Sequence, residues 1–190
     1  MSVSISMLLD FVCVKYVANL QLLYDKYAAL RRVRKDGNCF YRSFMYSYLL
    51  FIDLLKSITD NSIRAYDKSL FLLTKFLAVV LFLRMVTSGE LRIRAEFFAP
   101  FAGVESTGMA KDTVEMMGED CDHVHITALC DALGVPTRVE CLDQSTSSSG
   151  DLTLRHHDFI PMRSSASDAS NVLLVTLLYR PGHYDILYPK

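Results

Sequence analysis

The chain has 190 residues, a formal net charge of -1, 51% apolar residues and 22% charged ones, enough for one domain with a real core and too little for a second. Lysine and arginine are interspersed with aspartate and glutamate, so neither a nucleic-acid-binding stripe nor a charged tail is expected. Five cysteines (Cys13, Cys39, Cys121, Cys130, Cys141), odd in number and without a disulfide-scaffold rhythm, read as reduced thiols of a cytoplasmic and/or nuclear protein.

Val3 to Val14 is apolar, but no basic residue precedes it and Asp10 interrupts it, which argues against a signal peptide. From Tyr16 to Leu30 the spacing of Leu20, Leu23, Tyr24, Tyr27 and Leu30 predicts a helix. The basic run Arg31-Arg32-Val33-Arg34-Lys35 reads as a solvated loop, with contact to an acidic partner surface as its functional alternative. Gly37 and Asn38 then make a turn, and Asn38 suits a helix N-cap. Phe40, Phe44, Tyr48, Phe51 and Leu55 mark one face of a helix that starts at Cys39. A thiol there sits over unpaired backbone N–H groups and the positive end of the helix dipole, and both favour thiolate. The competing reading is a buried structural cysteine.

Ser57 to Ser69 is predicted as a polar loop with an N-cap. Leu70 to Leu83 is too short for a membrane-spanning helix and contains Lys75, so it reads as a core helix. It is expected to end near Thr87-Ser88-Gly89, with Gly89 as C-terminal cap, before an amphipathic helix from Glu90 to Phe101 stopped around Pro100. His123 to Leu133 forms a short helix closed by Gly134, and Thr137 to Leu142 a strand. A Ser-rich turn at Gln144 to Gly150, a strand through Phe159-Ile160 and a loop at Ser164 to Ser170 follow. Val172 to Leu178 is a buried strand, Arg180-Pro181-Gly182 a turn, and His183 to Tyr188 a second strand. Helices first and strands after give an α+β domain with a small sheet packed on helices.

Side chains two apart on a strand share a face, so His183 and Asp185 project together while Tyr184 points away. A carboxylate beside an imidazole is the base-and-orienter half of a cysteine-hydrolase triad, though His183 alone would read as a surface histidine. Cys121, His123 and His125, with His156-His157-Asp158, offer zinc donors. Their spacing matches no structural zinc module and no HExxH helix is present, so no metal is expected.

DGNCFYRSF (36–44) paired with YRPGHYDILY (179–188) resembles the otubain branch of the ovarian-tumour-domain (OTU) deubiquitinases. The likeness continues through 83–89, 94–98, 119–135 and 156–159, in the expected order. It implies a papain-like OTU cysteine protease fold with a small, mostly antiparallel sheet in one domain over 1–190. A nucleophile-helix segment (15–55), a shortened helical arm (56–110) and a helix plus sheet carrying the histidine (120–190) would make it up.

The implied activity is a thiol isopeptidase that frees the ubiquitin C-terminal glycine from lysine. Cys39 is the implied nucleophile and His183 the base. Asp36 and Asp185 compete for the third role. Spacing favours Asp185 as the histidine's partner and leaves Asp36 to shape the loop of an oxyanion hole. The resemblance calls for no metal or organic cofactor. Its implied partners are ubiquitin, polyubiquitin chains and ubiquitin-conjugating enzymes, without nucleic acid or membrane. Leu50 to Phe82 departs from the pattern by being abbreviated and unusually apolar. That supports an alternative: a catalytically weak or inactive ubiquitin- and conjugating-enzyme-binding regulator, or a truncated isoform. The exposed side of the 70–83 helix is expected to show an apolar patch.

Overall fold

The computed structural model describes residues 21–51, 68–102, 113–142, 154–162 and 175–190. Its strands are β1 (Tyr27–Arg31), β2 (Thr137–Cys141), β3 (Arg155–Phe159), β4 (Val175–Arg180) and β5 (His183–Pro189); its helices are α1 (Cys39–Phe51), α2 (Lys68–Ile93), α3 (Ala95–Ala102) and α4 (His123–Leu133). The strands form one sheet in the order β1-β5-β4-β2-β3. Only the β2–β4 pairing is parallel among the described strands. This is the expected α+β architecture. The hairpin β4–β5 turns at Pro181-Gly182, where Gly182 takes φ +69°, and sets Tyr179 opposite Tyr184 and Arg180 opposite His183.

Alternation along the strands sends side chains to two separate cores. Val139, Leu177, Tyr184 and Ile186 join Phe40, Phe44 and Met45 of α1, Val80 and Leu83 of α2, and Ile126 and Leu129 of α4. On the other side Leu142, Leu178 and Leu187 pack with Leu23, Tyr27 and Leu30.

The helix predicted through Leu30 is corrected: residues 21–26 are helical, but Tyr27–Arg31 is an edge strand paired with β5. The register shifts between Tyr27 and Ala29, and a bulge of that kind inserts one extra residue. Tyr27 and Leu30, three apart, therefore fall into one core and mimic helical spacing. The helix end expected at Gly89 is also corrected, since α2 runs on to Ile93. A mid-helix glycine costs about 1 kcal/mol relative to alanine, less than the roughly 2 kcal/mol gained by burying a side chain such as Leu91, which is fully buried here. Pro100 lies inside α3 instead of stopping it. The loops predicted at 144–150 and 164–170, most of the one at 57–69, and residues 52–55 of the cysteine helix lie outside the described residues.

Along α2, Leu77, Leu81, Phe82 and Met85 are exposed, Phe82 by 60%, forming the apolar stripe expected of this helix. Among the described residues no helix is long and apolar enough to cross a membrane. At α4 the Gly134 closure expected from the sequence is present, and a capping box that was not expected starts the helix. The Asp122 carboxylate accepts from the N–H groups of Val124 and His125, His125 answers through Nδ1 from the Asp122 N–H, and Gly134 closes the helix at φ +66°. Asp122→Ala is expected to lower the unfolding free energy by about 1 kcal/mol, read from chemical denaturation with an unchanged slope.

Candidate active site

The chain enters α1 through a turn that only glycine can make. Gly37 has φ +69°, and a Cβ there would lie 1.6 Å from the backbone oxygen of Gly118. Asp36 Oδ1 accepts the Asn38 N–H at 3.2 Å and a hydrogen bond from Arg42 Nη1, with Arg34 Nε 3.4 Å from its other oxygen. Burial opposes the Asp36 charge, but the Arg42 hydrogen bond and the Asn38 N–H outweigh it and hold the carboxyl below its ordinary pKa.

Asn38 begins the helix, its carbonyl accepting Arg42 N–H at 3.0 Å. Its side chain does not cap α1. Asn38 Oδ1 instead accepts from Arg84 Nη2 at 2.8 Å, Arg84 Nε at 3.1 Å and the Gly118 N–H at 3.1 Å. Arg84 is itself fully buried, stacks 4.6 Å from the Tyr41 ring and donates to the carbonyls of Gly37, Val114 and Glu119. Sequence reasoning did not single it out. A cation in the apolar run of a helix was the available signal, because an arginine buried there must be paired.

Cys39 is buried in the first turn of α1. That turn packs directly on β5: the Phe40 and Tyr184 ring centroids are 5.4 Å apart, and Ser43 Oγ donates to the Tyr184 carbonyl at 3.2 Å. The Tyr184 N–H, between His183 and Asp185 in sequence, is close enough to the sulfur to favour its thiolate form. Burial pushes the Cys39 thiol up from its ordinary pKa, the N–H groups of Tyr184, Phe40 and Cys39 itself pull it down, and the Asp120 carboxylate adds to the rise. Burial wins. The expectation that the helix start alone would favour thiolate is corrected on this point.

His183 and Asp185 do project together, with His183 Nε2 2.9 Å from Asp185 Oδ1. Asp185 also accepts from the Val33 N–H at 2.9 Å and from Arg180 Nη2. With an amide and a guanidinium as its other partners, the carboxylate is the acceptor, so Nε2 carries a proton, and in the neutral ring the lone pair is on Nδ1. Nδ1 is buried and has no hydrogen-bond partner among the described residues. Sulfur and imidazole are therefore not hydrogen-bonded here, a looseness common before substrate binds. Tyr184 points away, its ring against Phe40 and Tyr179. Asp36 is absent from the histidine's partners. The hold of the Val33 amide on Asp185 escaped the sequence reading because a backbone N–H leaves no residue signature, and Arg180 was read there only as part of a turn.

The zinc donors separate. His125 belongs to the α4 cap, while His123 meets the rings of His157 and Phe159. Among the described residues no three His, Cys, Asp or Glu side chains gather to hold a metal ion.

Comparison with known proteins reaches both ends of the chain. Residues 4–76 and 74–189 match the family Peptidase C65 Otubain. An Arabidopsis thaliana "OVARIAN TUMOR DOMAIN-containing deubiquitinating enzyme 1" is 38% identical over 228 residues, covering 90% of this chain and 73% of the relative. The Homo sapiens "Ubiquitin thioesterase OTUB1" is 31% identical over 220, covering 91% and 75%. Both aligned spans exceed 190 positions, so the relatives carry residues with no counterpart here. The two stretches of the family match meet at 74–76, in the region expected to be abbreviated. In fold, the chain superposes on ceOTUB1, solved in a complex with ubiquitin aldehyde and UBC13~Ub, with a TM-score of 0.76 and 24% identity over 100% of this chain and 92% of that one.

Gly37→Ala is expected to cost on the order of 3 kcal/mol of stability, combining left-handed strain with the clash at Gly118, read as a lowered midpoint of denaturation. Because burial raises the Cys39 pKa, its alkylation by iodoacetamide should climb through the alkaline range, with a midpoint above that of an ordinary thiol. Mass spectrometry of the Cys39 peptide follows it, and a midpoint at or below neutrality contradicts the assignment.

Proposed function

We propose, since this chain belongs to the otubain family, peptidase C65, that it is a deubiquitinating thiol isopeptidase, cleaving the bond between the ubiquitin C-terminal glycine and a lysine of a chain or conjugate. The observation that carries the reading is the pairing of His183 with Asp185 at 2.9 Å on the strand against which the Cys39 turn is packed. The names of the relatives, a deubiquitinating enzyme and ubiquitin thioesterases, support ubiquitin as the partner and polyubiquitin as substrate. Ubiquitin-conjugating enzymes are a second class of partner in this proposal, and the reduced cysteines suit the cytoplasm or nucleus.

In the proposed chemistry, His183 Nδ1 takes the Cys39 proton as the sulfur adds to the glycine carbonyl carbon. The general base makes a raised thiol pKa workable, because the thiolate forms only as attack proceeds. The carbonyl oxygen becomes an oxyanion. The Asn38 N–H is committed to Asp36, which leaves the Cys39 and Phe40 N–H groups, both beside the sulfur, as the donors; Asp36 serves by holding the loop. The C–N bond breaks as His183 returns its proton to the lysine amine, leaving a thioester. Water then gives a proton to Nδ1 and adds to the same carbon; the C–S bond breaks as Nδ1 returns that proton to the sulfur, and the released glycine carboxyl gives its own proton to solvent. Asp185 keeps the proton on Nε2 and offsets the imidazolium charge.

The shortened middle of the chain favours one second reading, retained ubiquitin binding with slow turnover. Comparing di-ubiquitin cleavage with binding of free ubiquitin separates the two. A ubiquitin probe with a C-terminal electrophile is expected to label the protein through Cys39, and Cys39→Ala to abolish the adduct. Asp185→Ala should cut di-ubiquitin cleavage by roughly a hundredfold or more, while Asp36→Ala should act through lowered stability of the loop. Labelling that survives Cys39→Ala removes the cysteine from its role.

A further inference from the structure

The loop between β1 and α1 does more than carry the cysteine. It walls an open cleft of about 260 Å³ whose floor is Met45, Tyr46 and Ile186 and whose rim holds Arg31, Arg32, Arg34 and Arg42. Among the described residues no carboxylate lines it, in a chain whose formal net charge is -1. The four cations are not equivalent. Arg42 is committed to Asp36, and Arg31 is fixed by Tyr188 Oη at 2.9 Å and by stacking 4.4 Å from the Tyr46 ring. Arg34 reaches Asp36 only at 3.4 Å with its side chain 68% exposed. Arg32 is exposed and forms no hydrogen bond or ion pair among the described residues.

An apolar floor gains by covering an aliphatic or aromatic side chain, and guanidiniums left unpaired, like Arg32, or only loosely paired and exposed, like Arg34, gain by meeting carboxylates. We propose that this cleft docks an acidic peptide segment, seating one large apolar side chain on Met45, Tyr46 and Ile186 and pairing flanking carboxylates with Arg32 and Arg34. Single-stranded nucleic acid fits it poorly. Base stacking needs an open aromatic face, and the Arg31 guanidinium already covers Tyr46. The occupant would lie beside the machinery, because Val33 in the cleft wall is the residue whose N–H holds Asp185, and Ile186 in the floor follows Asp185.

The test is fluorescence anisotropy of the full chain with a short labelled peptide in which glutamates flank leucine. Controls are the same peptide with glutamine for glutamate and a single-stranded DNA competitor. Saturable binding of the acidic peptide that weakens as salt rises is expected, with Arg32→Glu weakening it by about fivefold or more. Tyr46→Ala, which removes floor and keeps charge, should weaken it as well. Should Tyr46→Ala fail to fold, the exposed Arg32→Glu decides. In amide NMR spectra, saturating peptide should shift the Val33 signal. Equal affinity for the glutamine peptide, an unchanged constant in Arg32→Glu, or displacement by DNA at concentrations comparable to free peptide each overturn the proposal.

Discussion

Asp185 is fully buried, and a carboxylate cut off from water must find its donors within the protein. It finds them in the Val33 amide, the His183 imidazole and the Arg180 guanidinium. Each donor comes with a structural commitment. The Val33 bond ties down the chain between the edge strand and the cysteine turn. The His183 bond fixes which ring nitrogen keeps the proton, and the Arg180 bond draws together the two strands of the last hairpin. Leaving one such buried partner unpaired costs several kcal/mol, so the arrangement tends to hold together or fail together.

Arg84 does on the other side of the cysteine what Asp185 does on this one. Its guanidinium gathers the carbonyls of Gly37, Val114 and Glu119 and the amide oxygen of Asn38, so α2 grips the turn and the segment before α4 in one network. Asn38 spends its side chain there and not on capping α1. The cost is a helix start without its usual cap; the gain is a turn held from two directions.

The last hairpin was legible because its grammar is local: Pro-Gly at the turn and alternating apolar residues on either side. So were His183 with Asp185, two apart on a strand, and α4 between Asp122 and Gly134. What escaped reading depends on partners far away in sequence. Tyr27 and Leu30 looked helical because a bulge put an odd spacing on one face, and only the open edge of β5, whose backbone groups need a partner, decides for a strand. Gly89 looked like a helix end because its neighbours' burial is invisible locally. The hold of Val33 on Asp185 spans 152 residues and has no counterpart in any short motif.

The sheet order sets β5 between β1 and β4, so among the described strands the last in sequence lies between an early one and a late one. The sulfur is in place on its helix long before the imidazole exists. While residues 183–189 are still within the ribosome, β1 lacks its one neighbour among the described strands, the turn before Cys39 has no Asp185 to hold it, and the nascent polypeptide carries a thiol without its base. Sequence-distant pairings of this kind also slow folding. Hydrolytic competence would thus come only once the β4–β5 hairpin has been translated, since thiol and base are contributed from opposite sides of that event.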